Sequence, residues 1–247
     1  ELIIDCPAAL SFGLGAALAE LDGVLGDRSN TNWLKAPNSS FLLNADSEAL
    51  LKINAILTTF RKVDESITFK FKVACKDDKF EEEVIKQILN ELPQNARLRI
   101  DANGGWGRKQ AERWCKNLKD EPRLDWLEQP LPAEDLQGLY SLSKEVPIAL
   151  DESLQVDKSL HEKWKGWQIR RPCIDGDPRI FLKQMEKGMN KIVISTAFET
   201  GIGRRWVNHL AAVQQRSLTP TAPGLAPGWC PDNSLFSDKP DLVWETA

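Results

Sequence analysis

From about residue 40 the chain alternates short apolar or β-branched runs with longer segments of helical periodicity. The short runs predict strands at 41–44, 67–73, 97–101, 124–128, 148–151, 166–170 and 191–195. The segments between them predict helices near 47–61, 78–91, 107–118, 133–144, 156–165, 178–188 and 203–215. In the second of these, Val84, Ile85, Ile88, Leu89 and Leu92 share one face, while Glu81, Glu82, Glu83 and Lys86 fall largely on the other. Acidic residues open that helix, where its dipole favours them, and Pro93 closes it.

Strands that alternate with helices imply right-handed βαβ units and a parallel sheet. Seven such units, with a further strand near 216–219, point to an α/β fold of the (β/α)8 barrel type. An open doubly wound sheet is the alternative, but its phosphate-binding loop is missing. Gly13-Leu14-Gly15 needs a glycine at position 18, which is Leu18, and Gly201-Ile202-Gly203 runs into Arg204, Arg205 and Trp206. The first 35 residues do not fit the repeat. Ala16, Ala17, Leu18 and Leu21 suggest one apolar helix that leads into a polar linker over 26–40.

Composition removes several function classes. The 247 residues carry a formal net charge of −4, which makes a poor general nucleic-acid binder. No stretch approaches the roughly 18 uncharged apolar residues that a membrane helix needs. The opening run to Leu21 holds Asp5 and Glu20 without a basic start, so it does not read as a signal peptide. Two histidines, His161 and His209, cannot build a multi-histidine zinc site. The five cysteines, Cys6, Cys75, Cys115, Cys173 and Cys230, are scattered and never spaced C-x-x-C, which favours a reducing cytoplasm.

The candidate chemistry lies where strands end in charge. Lys70 and Lys72 alternate with Phe69, Phe71 and Val73, so both lysines point to one side. Asp101, Glu128 and Asp151 close the next three strands; Lys72, Asp101, Glu128 and Asp151 are successively 29, 27 and 23 residues apart, about one βα unit each. In a parallel barrel such residues become neighbours around the C-terminal mouth, where barrel active sites lie. Three facing carboxylates repel unless one is protonated or a cation joins them, and an all-oxygen site suits Mg²⁺, with Mn²⁺ as a substitute. A lysine acts as a base at neutral pH only with burial or positive charge beside it, and Lys72 has Lys70 and the dication as neighbours. A carboxylate substrate on the metal would have its α-proton acidified, because the enediolate is stabilised electrostatically.

Four segments carry a resemblance: Phe69-Lys70-Phe71-Lys72, Arg99-Ile100-Asp101-Ala102-Asn103-Gly104-Gly105-Trp106, Trp126-Leu127-Glu128-Gln129-Pro130-Leu131 and Ala149-Leu150-Asp151-Glu152-Ser153. In this order they resemble the muconate-lactonizing subgroup of the enolase superfamily, and within it the o-succinylbenzoate synthase family of menaquinone or phylloquinone biosynthesis. The resemblance implies a modified barrel over 38–247, with 1–37 as the last helix of a capping domain and its linker. With no Met at position 1, it also implies a chain that lacks most of that domain. It implies Asp101, Glu128 and Asp151 as Mg²⁺ ligands, and Lys72 as the base that removes the α-proton and then assists departure of the β-hydroxyl. Lys70 would support the substrate carboxylate and Lys72. Asn103 and Arg99 would support the metal or touch substrate, and Ser195, Thr196 and Gly224 would contact it. The partner implied is a small carboxylate, with neither nucleic acid nor membrane.

The sixth strand end departs from the family pattern. Most relatives have Lys-Pro where this chain reads Arg170-Arg171-Pro172. Arginine stays protonated and cannot serve as a second base. A one-base syn dehydration needs only a cation on that face, so Arg171 favours a lyase over a racemase or epimerase. A second departure is Pro223, where relatives often have His; the 220–228 stretch still reads as a rigid loop at the barrel mouth. The competing readings are an isomerase of the same subgroup (dipeptide epimerase, N-acylamino acid racemase or muconate cycloisomerase) and a catalytically silent metal-binding barrel.

Overall fold

The computed structural model describes residues 6–26, 32–43, 46, 48–60, 66–237 and 239–246. Position 44 of the expected first strand, positions 47 and 61 of the expected first repeat helix, and positions 27–31 of the expected linker lie outside the described residues, as do residues 1–5 of the opening run. In chain order the elements begin α1 (Ala8–Leu21), β1 (Phe41–Leu43), α2 (Glu48–Phe60), β2 (Thr68–Lys72), α3 (Asp78–Glu91), β3 (Arg97–Asp101), α4 (Arg108–Leu118) and β4 (Leu124–Glu128). They continue α5 (Leu136–Leu142), β5 (Ile148–Leu150), α6 (Glu152–Val156), α7 (Leu160–Lys163), β6 (Trp167–Arg170), α8 (Pro172–Asp175), α9 (Pro178–Glu186), β7 (Ile192–Ile194), α10 (Gly201–Gln214) and α11 (Pro240–Thr246), with 3₁₀ turns at Pro227–Trp229 and Ser234–Phe236.

The chain forms two compact units and passes from one to the other within β6. In the unit Ser40–Gln168, β1 to β5 pair in parallel and in sequence order, and β5 pairs with Trp167 and Gln168. This order has no reversal, so it is not the doubly wound alternative, whose strand order turns back at a switch point. Alternation sorts the strands by chemistry. Phe69, Phe71, Leu98 and Ile100 are fully buried in one core with Val84, Ile85 and Ile88 of α3 and Trp114 of α4. The opposite parity carries Lys70, Lys72, Arg99, Asp101, Trp126 and Glu128. In the unit holding 1–39 and 169–247, Phe12, Ala16 and Ala19 of α1 share a core with Phe181 and Met185 of α9, Ile192 and Ile194 of β7, and Trp206 and Leu210 of α10.

The structure corrects several expected elements. Glu81 is not on a solvated helix face: it is fully buried and accepts the backbone N–H groups of Ala74, Cys75 and Lys76, each at 2.8 Å. A buried carboxylate at a helix start satisfies loop donors that burial would otherwise leave unpaired. The expected helix 156–165 is two short ones, α6 and α7. Asp157 ends the first in an extended conformation, and its side chain accepts from Ser159 N at 2.9 Å. The expected strand at 216–219 is a turn. Arg216 N and Ser217 N donate to Val213 O and Gln214 O at the end of α10, and Ser195 bridges Gly224 instead. The short helix α8 and the C-terminal α11 lack the apolar periodicity that long helices show, and the repeat pattern missed both.

Candidate active site

The registers place the charged strand ends in one row. Lys72 pairs with Asp101, and Asp101 with Glu128, so β2, β3 and β4 present them side by side. Lys70 Nζ donates to Glu128 Oε1 at 2.6 Å and lies 2.8 Å from Asp101 Oδ2. Lys72 Nζ donates to the same Asp101 oxygen at 2.7 Å and to Asn103 Oδ1 at 2.5 Å. Asn103 in turn donates from its backbone N to Asp101 Oδ1 at 3.0 Å, and from its amide to Glu152 Oε1 at 2.9 Å. The expected lysine pair, two of the three carboxylates and Asn103 therefore form one hydrogen-bonded cluster, to which the structure adds Glu152.

Just past each of these strand ends the backbone turns through a left-handed residue that is not glycine: Ala74 at φ 59°, Asn103 at φ 44° and Gln129 at φ 37°. Such conformations cost about 1–3 kcal/mol each and hold only where the surroundings fix them. At Gln129 the fixing bonds are visible. Its amide oxygen accepts from Asp151 N and Ser153 N, both at 3.1 Å. Its Nε2 donates to Leu131 O at 2.9 Å and Ser153 Oγ at 2.8 Å.

Arg99 occupies the row beneath, paired with Lys70 on one side and Trp126 on the other. Leu98 pairs with Leu124 but Arg99 with Trp126, so Asp125 is the extra residue of a bulge. Its carboxylate accepts from Arg99 Nε at 3.1 Å, and the guanidinium lies 4.2 Å above the Trp126 ring. Burial lowers the pKa of Arg99, with Asp125 opposing the shift.

The electrostatics are uneven. Burial disfavours the Asp101 carboxylate, but Lys70 and Lys72 outweigh it and hold the group down at about 2. Glu128 is lifted to about 7, by burial first and then by the charges of Asp101 and Asp151, with Lys70 pulling against them. Burial also pulls on the Lys70 ammonium, yet Glu128 and Asp101 overcome it and raise its pKa. Glu152 Oε2 is buried without a hydrogen-bond partner. Three carboxylates, Asp101, Glu128 and Glu152, thus gather around two lysines and Asn103, with oxygen donors alone. That chemistry fits a hard divalent cation. Among the described residues no three His, Cys, Asp or Glu side chains converge on a common point; the carboxylates are drawn to the lysines instead.

Asp151, the third expected carboxylate, is buried in the same unit as this cluster, whereas Arg171, Ser195, Thr196 and Gly224 lie in the other compact unit and come together there. Arg171 follows β6 and donates from Nη1 to Thr196 O at 2.8 Å. Ser195 Oγ donates to Gly224 O at 3.2 Å, and Thr196 N donates to the same carbonyl at 3.1 Å. Thr196 Oγ1 donates to Glu199 and accepts from Phe198 N, so the loop 195–201 is held by its own side chains. Arg170 is a separate residue in role: it is buried, ion-paired with Asp175 at 2.7 Å and set over Phe181. His209 is also buried, accepts from Leu34 N, and is held below the usual histidine range by burial.

Sequence reasoning gave no role to Gln129, Glu152, Ser153, Asp125 or Glu199. Gln129, Glu152 and Ser153 sit inside the motif segments, so their signal was position next to a charged strand end. Asp125 and Glu199 left none, because a bulge and a loop-internal acceptor leave no periodic trace.

Residues 60–162 match the family described as enolase C-terminal domain-like. Among curated relatives, the o-succinylbenzoate synthase of Thermosynechococcus vestitus is 35% identical over 158 residues, 60% of this chain and 49% of that protein. That of Aliivibrio fischeri (strain MJ11) is 28% identical over 254 residues, 99% of this chain and 71% of that one. The chain thus spans about half the length of the first of these relatives. Among solved structures, o-succinylbenzoate synthase from Thermosynechococcus elongatus BP-1, complexed with magnesium in its active site, aligns at TM-score 0.77 and 27% identity, over 99% of this chain and 77% of that one. Muconate lactonizing enzyme from Pseudomonas putida shares the fold at TM-score 0.68 and 22% identity, over 89% of this chain and 64% of that one. The expected α/β barrel-type fold is the one these structures share with the chain, and its residues 60–162 are similar to the enolase C-terminal domain-like family.

Proposed function

We propose that the chain is a Mg²⁺-dependent hydro-lyase that converts 2-succinyl-6-hydroxy-2,4-cyclohexadiene-1-carboxylate to o-succinylbenzoate, in quinone biosynthesis in the cytoplasm. The observation that carries this is Lys72, whose Nζ at the end of β2 is held between Asp101 and Asn103 in a cluster that also holds Lys70 and the buried Glu128. The similarity to o-succinylbenzoate synthases supports the choice of reaction, and the magnesium in one relative's active site supports the choice of ion.

Asp101, Glu128 and Asp151 would hold Mg²⁺, with Mn²⁺ as a substitute; once bound, the ion supplies positive charge that acidifies the α-proton of a bound carboxylate. Lys72 in its neutral form takes the α-proton onto Nζ. The electron pair left on carbon forms the new double bond, the β C–O bond breaks, and the Nζ proton leaves with the hydroxyl as water. One group thus serves as base and then acid on one face. Asn103 and Asp101 aim Nζ, and Glu152 aims the Asn103 amide. Lys70 adds positive charge for the substrate carboxylate. Arg171 supplies a cation that cannot exchange a proton, which suits elimination rather than two-base isomerisation. Ser195, Thr196 and Gly224 would contact the substrate, and Arg99 fixes the row beneath through Asp125 and Trp126. The partner proposed is this small carboxylate, with neither nucleic acid nor a membrane.

The test is a dehydration assay on the full-length protein, with Mg²⁺ and then with EDTA. Turnover should require the ion and return when it is restored. Absence of turnover in the metal-loaded full-length protein, or turnover indifferent to EDTA, overturns the reading.

A further inference from the structure

Gln129 belongs to the Glu128-Gln129-Pro130 segment, yet no step above uses it. It is fully buried, its backbone is held at φ 37°, and both ends of its amide are engaged. In two of its four side-chain hydrogen bonds it accepts the backbone N–H groups of Asp151 and Ser153. Asp151 follows β5 with φ −122° and ψ −77°, neither extended nor helical, and its N–H bond to Gln129 is what sets the peptide plane there. The other two bonds run from Nε2 to Leu131 O and Ser153 Oγ, and Ser153 Oγ donates onward to Ala133 O at 3.1 Å. One side chain thus ties the segment after β4 to the segment after β5. Its own backbone is fixed by Gln129 N donating to Ala149 O at 2.8 Å. Any movement of Gln129 changes where the Asp151 side chain starts, while Glu128, its immediate neighbour in sequence, keeps its place in the ladder.

We propose that Gln129 is a positioning residue for Asp151, and that its amide sets the distance and orientation of that carboxylate relative to Glu128 so that both can serve one divalent cation. This rests on the reading of Asp151 and Glu128 as metal ligands. Partners that orient a ligand without touching the ion commonly change metal affinity by about 10–100-fold when removed. Gln129→Asn keeps an amide and tolerates a left-handed backbone, but it is one methylene short of Asp151 N. Gln129→Met keeps the length and loses the four hydrogen bonds of the side-chain amide.

The test is Mg²⁺ titration by calorimetry on the whole protein, with metal-free melting and circular dichroism on the same samples and Asp151→Asn as the reference. The unchanged protein should bind Mg²⁺ and Asp151→Asn should lose most of that affinity. Gln129→Asn and Gln129→Met should bind at least about tenfold more weakly while keeping the metal-free fold. Ser153→Ala, which removes one bond of the clamp, should weaken binding severalfold, and it carries the test if Gln129→Met does not melt cooperatively. A purely structural glutamine would lower the melting temperature and leave the Mg²⁺ affinity of the folded protein unchanged; that result, with Asp151→Asn impaired, overturns the proposal. If the unchanged protein takes up no Mg²⁺, or Asp151→Asn binds as well as it does, the metal reading falls and the proposal falls with it.

Discussion

The row on β2–β4 and the cluster around 195–224 are built from different materials. In the first, Lys70, Lys72, Asp101 and Glu128 meet through side-chain charges at 2.6–2.8 Å. In the second, main-chain groups make the contacts: Gly224 O accepts from Ser195 Oγ and Thr196 N, and Thr196 O accepts from Arg171. Charges that are crowded and buried respond to protons and ions more than a frame whose contacts run mainly through main-chain groups and hydroxyls, with Arg171 and Glu199 at its edges. The first region is therefore suited to moving a proton and the second to holding a shape, and substitutions should separate the two.

The largest effect belongs to Lys72. Lys72→Ala removes the proposed proton carrier, and turnover should fall by about 10³-fold or more, while metal-free stability should drop because the buried Asp101 carboxylate keeps only Lys70 as its ionic partner among the described residues. Steady-state dehydration kinetics with parallel denaturation would measure both. Activity retained within tenfold would move the chemistry out of the β2–β4 row.

Next comes the proton balance of Glu128. Its pKa is about 7 in the folded chain against 4.5 for the unperturbed group, so the fold favours the protonated form. Stability from this group is full below about 4.5 and is lost as pH rises through 7, by up to roughly 3 kcal/mol in the metal-free protein. Asp101 does not interfere in that window, since its shift runs from 3.8 to about 2 and its contribution fades only in stronger acid. His209 runs the other way: its depressed pKa makes stability fall as pH drops below the usual histidine range. Comparing the protein with Glu128→Gln cancels that contribution. Urea denaturation in EDTA at pH 5 and pH 8 should show the unchanged chain losing more stability toward pH 8 than Glu128→Gln does. Equal slopes would mean that the row is not short of positive charge.

How far each region could be read from sequence follows the same division. A charge that ends an apolar strand breaks the period-2 pattern, so Lys70, Lys72, Asp101, Glu128 and Asp151 stood out at regular spacing. The parallel order of β1–β5 followed from the same alternation. What the pattern could not show is satisfaction at close range. Glu81 reads as one more solvated glutamate, yet three loop N–H groups converge on it. Asp125 reads as a strand residue out of phase, and only the bulge explains its bond to Arg99. Gln129 reads as a motif letter, although three of its side-chain hydrogen bonds reach residues more than twenty positions away. Periodicity reports which face a residue takes, whereas these roles depend on where backbone donors from elsewhere in the chain arrive.

The smallest effect should come from Gly224, and it probes the second region directly. A Cβ built there lies 3.1 Å from Ser195 Oγ and 3.6 Å from Ser195 Cβ, so Gly224→Ala forces the serine hydroxyl to give by a few tenths of an ångström. The hydroxyl can rotate, so the cost in stability should stay near 1 kcal/mol. The bond from Ser195 Oγ to Gly224 O would weaken, loosening the frame that also receives Thr196 N. If this frame binds the substrate away from the reacting carbon, KM should rise severalfold while kcat stays within about twofold, as expected when only uniform binding is lost. The effect should be the same at pH 6 and pH 8, because none of the groups involved titrates there. A fall in kcat with KM unchanged, or a pH-dependent loss, would instead tie the 195–224 frame to the proton-transfer step and dissolve the division of labour between the two regions.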